Sequence, residues 1–425
     1  MPPHTAGPKL GEELTALGAI RAGNQARSVP PWTGGLSKPV EGYEPGKHHP
    51  HPFIDDGLWF TVRAAELPRY KPRLSAGLQA LLRKYPESFE VRLFPSRRSA
   101  AAPQRVYDGA MANAGRAKLA ENGLALSGAK IGVPFPVPTS GIQAMWNHIL
   151  RWRGETVSRT GATVVSDGQG RFATSLIRED ILSGYAMGKE GRPFHYRRTV
   201  LEPESQAGTT LLMQGTLNPL RTPPAVWYRE GERGRVVRAA DFAYDRPDPA
   251  TGGIRTADML DMFSGPLDRL DFRLLDKRRE MYVPYNAYRL NAPNLTPEDF
   301  LWPAHPNPEF LRYELHRVWV VEATVKPGLR DAFPERTYYL DEDSWQIVMA
   351  DYYDANGKLV RYGEAHGVAR SQVPAFTPAL EITYDLTDGR YVVSGIDNQQ
   401  TPPVFDRPMT PEEFTPEALA RKGRR

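Results

Sequence analysis

Nine histidines are the residues best placed to do acid–base or metal chemistry in this 425-residue chain, which has no cysteine. Without thiols there are no disulfides, thiolate nucleophiles or cysteine metal ligands. His48, His49 and His51 stand together, and neutral imidazole is a common ligand for zinc or copper. Pro50 constrains how they could converge, so solvated loop histidines are the simpler expectation and no metal ligand is assigned. His148 follows Trp146 and Asn147 and precedes Arg151 and Arg153. That cluster suits either polar machinery or a hydrogen-bonded anchor between a helix and a sheet. His195, His305, His316 and His366 lack acid–base partners nearby in sequence, although triads assemble from distant positions. Asp341, Glu342 and Asp343 crowd three carboxylates without the spacing of a calcium loop, and they are expected in a surface hairpin turn. The chain has no G-x-S-x-G, H-E-x-x-H, Walker or G-x-G-x-x-G motif. We therefore expect no catalytic residue, no cofactor and no bound metal.

Apolar recognition is the chemistry the composition favours. Aromatic residues make up 10% of the chain, and they offer large apolar area with a polar tip. Trp146, Met259, Met262, Phe263, Tyr282, Tyr285, Trp319, Trp345 and Met349 are the candidate ligand-binding residues. Each is also an ordinary core residue by type, so the expectation is collective.

The elements that would carry them read as follows. Residues 1–57 form an extended arm rich in Pro and Gly, with Trp32, Tyr43 and Phe53 spaced to pack over a surface. Residues 58–400 form one domain, mostly helical over 58–153 and mostly β over 154–400. Residues 401–425 are a tail with a short helix. A 3–4 apolar spacing from Leu67 to Tyr85 predicts a helix over 66–85, stopped by Pro86. A second helix is expected over 103–121, ending at the C-cap pair Asn122-Gly123. A third is expected over 141–152, with Ser140 and Gln143 as a capping box. From 154 onward, strand–turn–strand units predict an antiparallel meander. Asp167–Gly170 and Asp354–Gly357 mark hairpins, and Asp271–Leu275 is expected to pair with Met281–Tyr285. Thr256–Gly265 reads as a methionine-rich amphipathic helix, either a core plug or a lid. In Trp345–Tyr353 both alternating faces are apolar: Trp345, Ile347 and Met349 on one, Val348, Ala350 and Tyr352 on the other. Such a strand is covered on both sides, by two packed layers or by a layer and a cavity.

Bulk properties exclude other classes. The 54 basic and 50 acidic residues leave a formal charge of +4, without the clustered stripe of a nucleic-acid binder. Lys277-Arg278-Arg279 and the tail from Arg421 to Arg425 are short runs of solvated type. No run of about 18 apolar residues suggests a membrane-spanning helix, and no signal peptide is visible near Met1.

Several blocks carry a recognisable pattern: LGEELTALGAIRAGN at 10–24, PPWTGGLSKP at 30–39, PFPVPTSGIQAMWNHILRWRG at 134–154, RREMYVPYNAYRL at 278–290 and RTYYLDEDSWQIVMADYYDANGKLVR at 336–361. Together they resemble the proteobacterial domain of unknown function 1329 (DUF1329), a family similar to periplasmic lipoprotein carriers of the LolA and LolB type. The resemblance implies a mainly β, α+β fold: a strongly curved antiparallel sheet, an open barrel, with helices covering its concave face. It implies a periplasmic or outer-membrane-associated protein that holds a hydrophobic small molecule or lipid. The implied partners are an outer-membrane protein or a resistance-nodulation-division (RND) permease. It supplies no functional residues to carry over, and the His48–His51 cluster is not a recognised family feature. A hydrolase-like enzyme acting on a hydrophobic substrate, or an outer-membrane assembly protein, are the alternatives.

Overall fold

The structure, a computed structural model, describes residues 9–184 and 192–422, so the ends of the arm and of the basic tail, 1–8 and 423–425, lie outside it. The strands in chain order are β1 (Phe60–Val62), β2 (Val91–Leu93), β3 (Lys118–Ala120), β4 (Ala125–Ser127), β5 (Thr156–Ser166), β6 (Phe172–Ser183), β7 (Phe194–Glu202), β8 (Thr210–Gln214) and β9 (Ala225–Arg229). They continue as β10 (Val237–Arg238), β11 (Leu270–Pro284), β12 (Tyr313–Val325), β13 (Glu335–Asp341), β14 (Ile347–Tyr353), β15 (Leu359–Arg370), β16 (Ala375–Asp385), β17 (Tyr391–Ile396) and β18 (Val404–Phe405). The principal helices are α1 (Ala76–Lys84), α2 (Gln104–Arg116), α3 (Gly141–Leu150) and α4 (Pro416–Lys422). No described helix is long and apolar enough to cross a membrane.

One sheet takes in every strand except the β3–β4 hairpin. Its main order is β11-β12-β13-β14-β15-β16-β17-β5-β6-β7-β8-β9-β10. Pairing is antiparallel throughout, except for one parallel contact between Tyr313 and Leu93 that attaches β2 and β1. The path does not close on itself among the described strands, so the sheet is an open one. It bends sharply. Thr377 and Glu381 of β16 line the same cavity as Phe194 and Tyr196 of β7, although three strands lie between them. At about 4.8 Å per strand a flat sheet would separate those rows by nearly 20 Å.

The hollow face carries two apolar clusters. Trp319, Val321, Tyr338, Leu340, Ile347 and Tyr352 pack against Met145 and Trp146 of α3 and against Met259, Met262 and Phe263. Tyr196, Leu211, Met213 and Val226 pack against Phe242, Ala243 and Ala257. Thus α3 and the 240–267 segment cover the concave side. On the opposite face, Val318, Met349, Tyr362, Ile382 and Tyr384 meet Leu78, Leu81 and Leu82 of α1, and α4 packs Leu419 beside Leu182 and Leu212. The α3 N-terminus lies directly on β11: a Cβ at Gly141 would stand 2.7 Å from the Phe272 carbonyl.

Several expectations need correction. The 66–85 helix is broken into short turns before α1, because Pro68 and Pro72 interrupt the ladder and Leu74 is extended. The 103–121 helix stops at Arg116, and Asn122-Gly123 forms the β3–β4 turn instead of a C-cap. The third helix ends at Leu150, and Gln143 accepts from Thr139 rather than pairing with Ser140. Residues 271–285 do not form a hairpin. They run as one strand, β11, that pairs with β12 and absorbs Lys277-Arg278-Arg279 in bulges, with Arg278 at φ 61°. Thr256–Gly265 is not an amphipathic helix, since Leu260 is extended and Asp261 and Met262 have positive φ. In β14 a bulge resets the alternation: Ile347, Ala350 and Tyr352 face the α3 side, whereas Val348 and Met349 face the α1 side. Both sides of that strand are solid packing. The Asp341–Ser344 turn is not at the surface, because Asp341, Glu342 and Asp343 are all buried.

Arg336 of β13 ties the covering segment to the sheet. It is fully buried and pairs with Asp258 at 2.7 Å and Asp331 at 2.6 Å. Removing one partner of a buried pair strands the other charge. Urea titration of Arg336→Met should show a loss of about 3–5 kcal/mol of unfolding free energy. A loss below about 1 kcal/mol would contradict this role.

Candidate functional site

Three neighbouring cavities follow the concave face. The central one has a volume of about 70 Å³, with others of about 40 and 30 Å³ beside it. The first and second share Arg159, Glu179, Leu260 and Glu381. The first and third share Ile149, Phe194 and Ser264. The row therefore grades from a polar end to an apolar one. Val157, Ile181, Phe263 and Phe405 complete the apolar wall of the central cavity.

Strand alternation places the polar end. Arg159, Glu179 and Arg198 are cross-strand neighbours on β5, β6 and β7, all pointing inward. Arg159 donates through Nε to Glu179 at 2.6 Å, and the Tyr196 hydroxyl donates to the same carboxylate. Burial alone would raise Glu179, but the Arg159 charge and the Tyr196 hydrogen bond outweigh it and lower its pKa. Arg198 grips Asp248 through both terminal nitrogens, at 2.5 and 2.7 Å. Arg255 pairs with Glu381 at 2.8 Å, yet burial keeps the Glu381 pKa raised.

The roof is the segment around Asp261. Arg151 donates to its Oδ1 at 2.5 Å and Arg153 to its Oδ2. His148 reaches the Asp261 and Phe263 carbonyls through Nε2, at 3.0 and 3.2 Å, and its Nδ1 takes the Ile347 amide at 3.3 Å. Nδ1 also lies 3.3 Å from the Arg151 guanidinium and 3.1 Å from the Trp345 carbonyl; two donors at Nδ1 against two carbonyls at Nε2 favour the proton on Nε2. Burial, reinforced by the Arg151 charge, lowers the His148 pKa to about 3, so the ring is neutral. Asp261 and Met262 sit at φ 54° and 65°, a region that costs non-glycine residues on the order of 1 kcal/mol each. The clamp on Asp261 holds that strained turn in place.

The nine sequence candidates fall on both sides of the sheet. Trp146, Met259, Met262, Phe263, Trp319 and Trp345 share the concave-side core, whereas Tyr282, Tyr285 and Met349 lie in the core on the other face. Phe263 lines the central cavity and Trp146 the apolar one, and the other seven line none of the described cavities. Val157, Arg159, Glu179, Ile181 and Phe405 escaped the sequence reading. Their signal was the inward alternation of β5 and β6, which an apolar-only search passes over.

The histidines are dispersed. His48 faces Asp397, His49 bonds Gln372 and stacks on Tyr43, and His51 takes the Phe53 amide and tilts against Tyr288. The three rings do not converge. His195 packs beside Phe414, and His305 meets Ser88 and the Pro306 carbonyl. His316 and His366 each bond a glutamate two residues earlier, Glu314 at 3.0 Å and Glu364 at 3.1 Å. Glu364 also accepts from Tyr313, Tyr362 and Tyr384, so it is a saturated core anchor.

The chain is similar to several known proteins. A curated relative, the uncharacterized protein PA3922 of Pseudomonas aeruginosa, is 37% identical over 98% of this chain and 92% of its own length. Among solved structures, a putative outer membrane lipoprotein-sorting protein domain from Vibrio parahaemolyticus is 13% identical, covers 66% of this chain and 97% of its own, and superposes with a TM-score of 0.46. A DUF1329 family protein from Desulfovibrio piger is 14% identical, covers 63% of this chain and 92% of its own, with a TM-score of 0.43. A LolA superfamily protein from Nitrosomonas europaea is 13% identical, covers 65% of this chain and 98% of its own, with a TM-score of 0.38. The family described as "Protein of unknown function (DUF1329)" matches residues 61–420, and the chain belongs to that family.

Proposed function

We propose that this protein binds and carries a hydrophobic small molecule or lipid, held in the graded row of cavities beneath Asp261. The observation that carries this reading is the central cavity, apolar at Val157, Ile181, Phe194, Phe263 and Phe405 and polar at Arg159, Glu179 and Glu381. A ligand with an apolar body and one polar end fits that gradient. Burial of each methylene contributes about 0.8 kcal/mol, so a greasy wall with few polar contacts gives useful affinity. Ligand sites commonly span about 300–1,000 Å³, far more than the present cavity. Entry therefore requires the 257–264 segment to lift from the sheet. On this reading the setting is the periplasm, with handover to an outer-membrane protein or an RND-type permease. The aromatic and methionine residues of the concave core, among them Trp146, Met259 and Met262, form the adaptable surface against which the segment reseats.

Titration with a fluorescent fatty-acid analogue should give saturable binding. Ile181→Trp, which fills the apolar wall, should weaken it by at least tenfold. Equal affinity in both proteins, or no binding in either, would refute the site.

His148 links the clamp to pH. Its folded pKa lies below the unfolded value of 6.5, so its contribution is complete above pH 6.5 and is lost as pH falls toward 3. The full loss is on the order of 5 kcal/mol. Thermal melts from pH 7 to 4 should fall more steeply for the native chain than for His148→Gln. Parallel curves would remove His148 from the account.

A further inference from the structure

The Asp341–Ser344 turn holds a second constellation, outside the three cavities described above and unused by the carrier reading. His316 of β12 and Asp341 and Asp343 of the turn offer ligand atoms within 4.8 Å of one another, and all three residues are buried. Asp341 shows the decisive asymmetry. Its Oδ2 is saturated by the Tyr285 hydroxyl at 3.2 Å and by the Ser344 amide and hydroxyl at 2.9 and 2.6 Å. Its Oδ1 is fully buried and has no hydrogen-bond partner, and the atom it faces is His316 Nδ1 at 3.7 Å.

The other side of His316 explains why that gap matters. Nε2 lies 3.0 Å from Glu314 Oε2. A neutral ring that donates Nε2–H to Glu314 presents the Nδ1 lone pair to the bare Asp341 oxygen. An Nδ1 lone pair facing that oxygen needs a positive charge between them, which either a proton on Nδ1 or a metal ion supplies. A carboxylate that orients a histidine whose other nitrogen binds a metal is the common second layer of zinc centres. Ligands about 2.0–2.2 Å from a zinc ion can stand 3.7 Å apart. Asp343 supplies a third oxygen. It already bonds Arg98 at 2.6 and 2.9 Å, but an ionised carboxylate has about four acceptor sites. One nitrogen and two oxygens suit a borderline first-row ion such as zinc or manganese.

We propose that His316, Asp341 and Asp343 form a buried structural site for a divalent transition-metal ion, with Glu314 as the positioning residue. Zinc is the probe of choice. Because the site is enclosed, the ion is loaded as the chain folds.

The test refolds the full chain from guanidinium with zinc, dialyses it exhaustively and measures metal by mass spectrometry. The expected result is one zinc per chain in the native protein and less than one tenth of that in Asp341→Asn. Cobalt refolding gives a reading on the native chain alone: a visible ligand-field band is expected, and it should shift or vanish in His316→Gln. Circular dichroism confirms that each variant has folded. Native protein that retains no zinc and shows no cobalt band overturns the proposal and makes His316 an imidazolium bridging Glu314 and Asp341. Zinc that survives Asp341→Asn but leaves with His48→Ala/His49→Ala assigns the ion to the arm and overturns it equally.

Discussion

A curved sheet with an apolar inner face must fill its hollow with its own chain or leave it to a ligand, and here α3 and the segment around Asp261 do the filling. The sheet cannot remain bare. Trp319, Tyr338, Ile347 and Tyr352 together present a surface whose exposure costs about 25 cal/mol per Å². Met259, Met262 and Phe263 cover it, but only by taking a kinked backbone with two left-handed residues. Arg151, Arg153 and His148 hold that conformation from one side and Arg336, through Asp258, from the other. The cover is thus held both by apolar packing against the sheet and by polar contacts on its two sides.

The polar interior follows the same logic. The inward rows of β5, β6 and β7 alternate ion pairs with apolar side chains, so Arg159–Glu179 and Arg198–Asp248 are neutralised before they meet the hollow. Buried pairs of this kind contribute little net stability. On the proposed carrier reading, they mark where a polar ligand end would sit. On the other face Glu314 and Glu364 play the matching role, each orienting the histidine two positions on.

Much of this architecture was legible in the sequence. Alternation and turn chemistry located β5–β6 and the strands around Asn356-Gly357, because a two-residue period with a glycine turn has few other solutions. Open-sheet curvature came from the resemblance of whole blocks rather than from any residue pattern. What local pattern misread was decided by distant partners. Asp261 belongs to a clamp more than 100 residues away, which no helical period between Thr256 and Gly265 can reveal. The bulge in β14 moves Met349 to the opposite face from Ile347, and one skipped residue inverts every later side chain. The acidic triplet looked solvated because its arginines, Arg98 and Arg317, lie elsewhere in the chain. Two signals were present but unread: Glu314-x-His316 and Glu364-x-His366, whose spacing puts both side chains on one face of a strand.

Hydrogen exchange on the 257–264 amides, with and without a saturating fatty-acid analogue, tests the central claim most directly. The account predicts that ligand accelerates exchange in this segment, as the cover lifts, while the β12–β16 amides keep their protection. Ligand bound with unchanged exchange at 257–264 would contradict it.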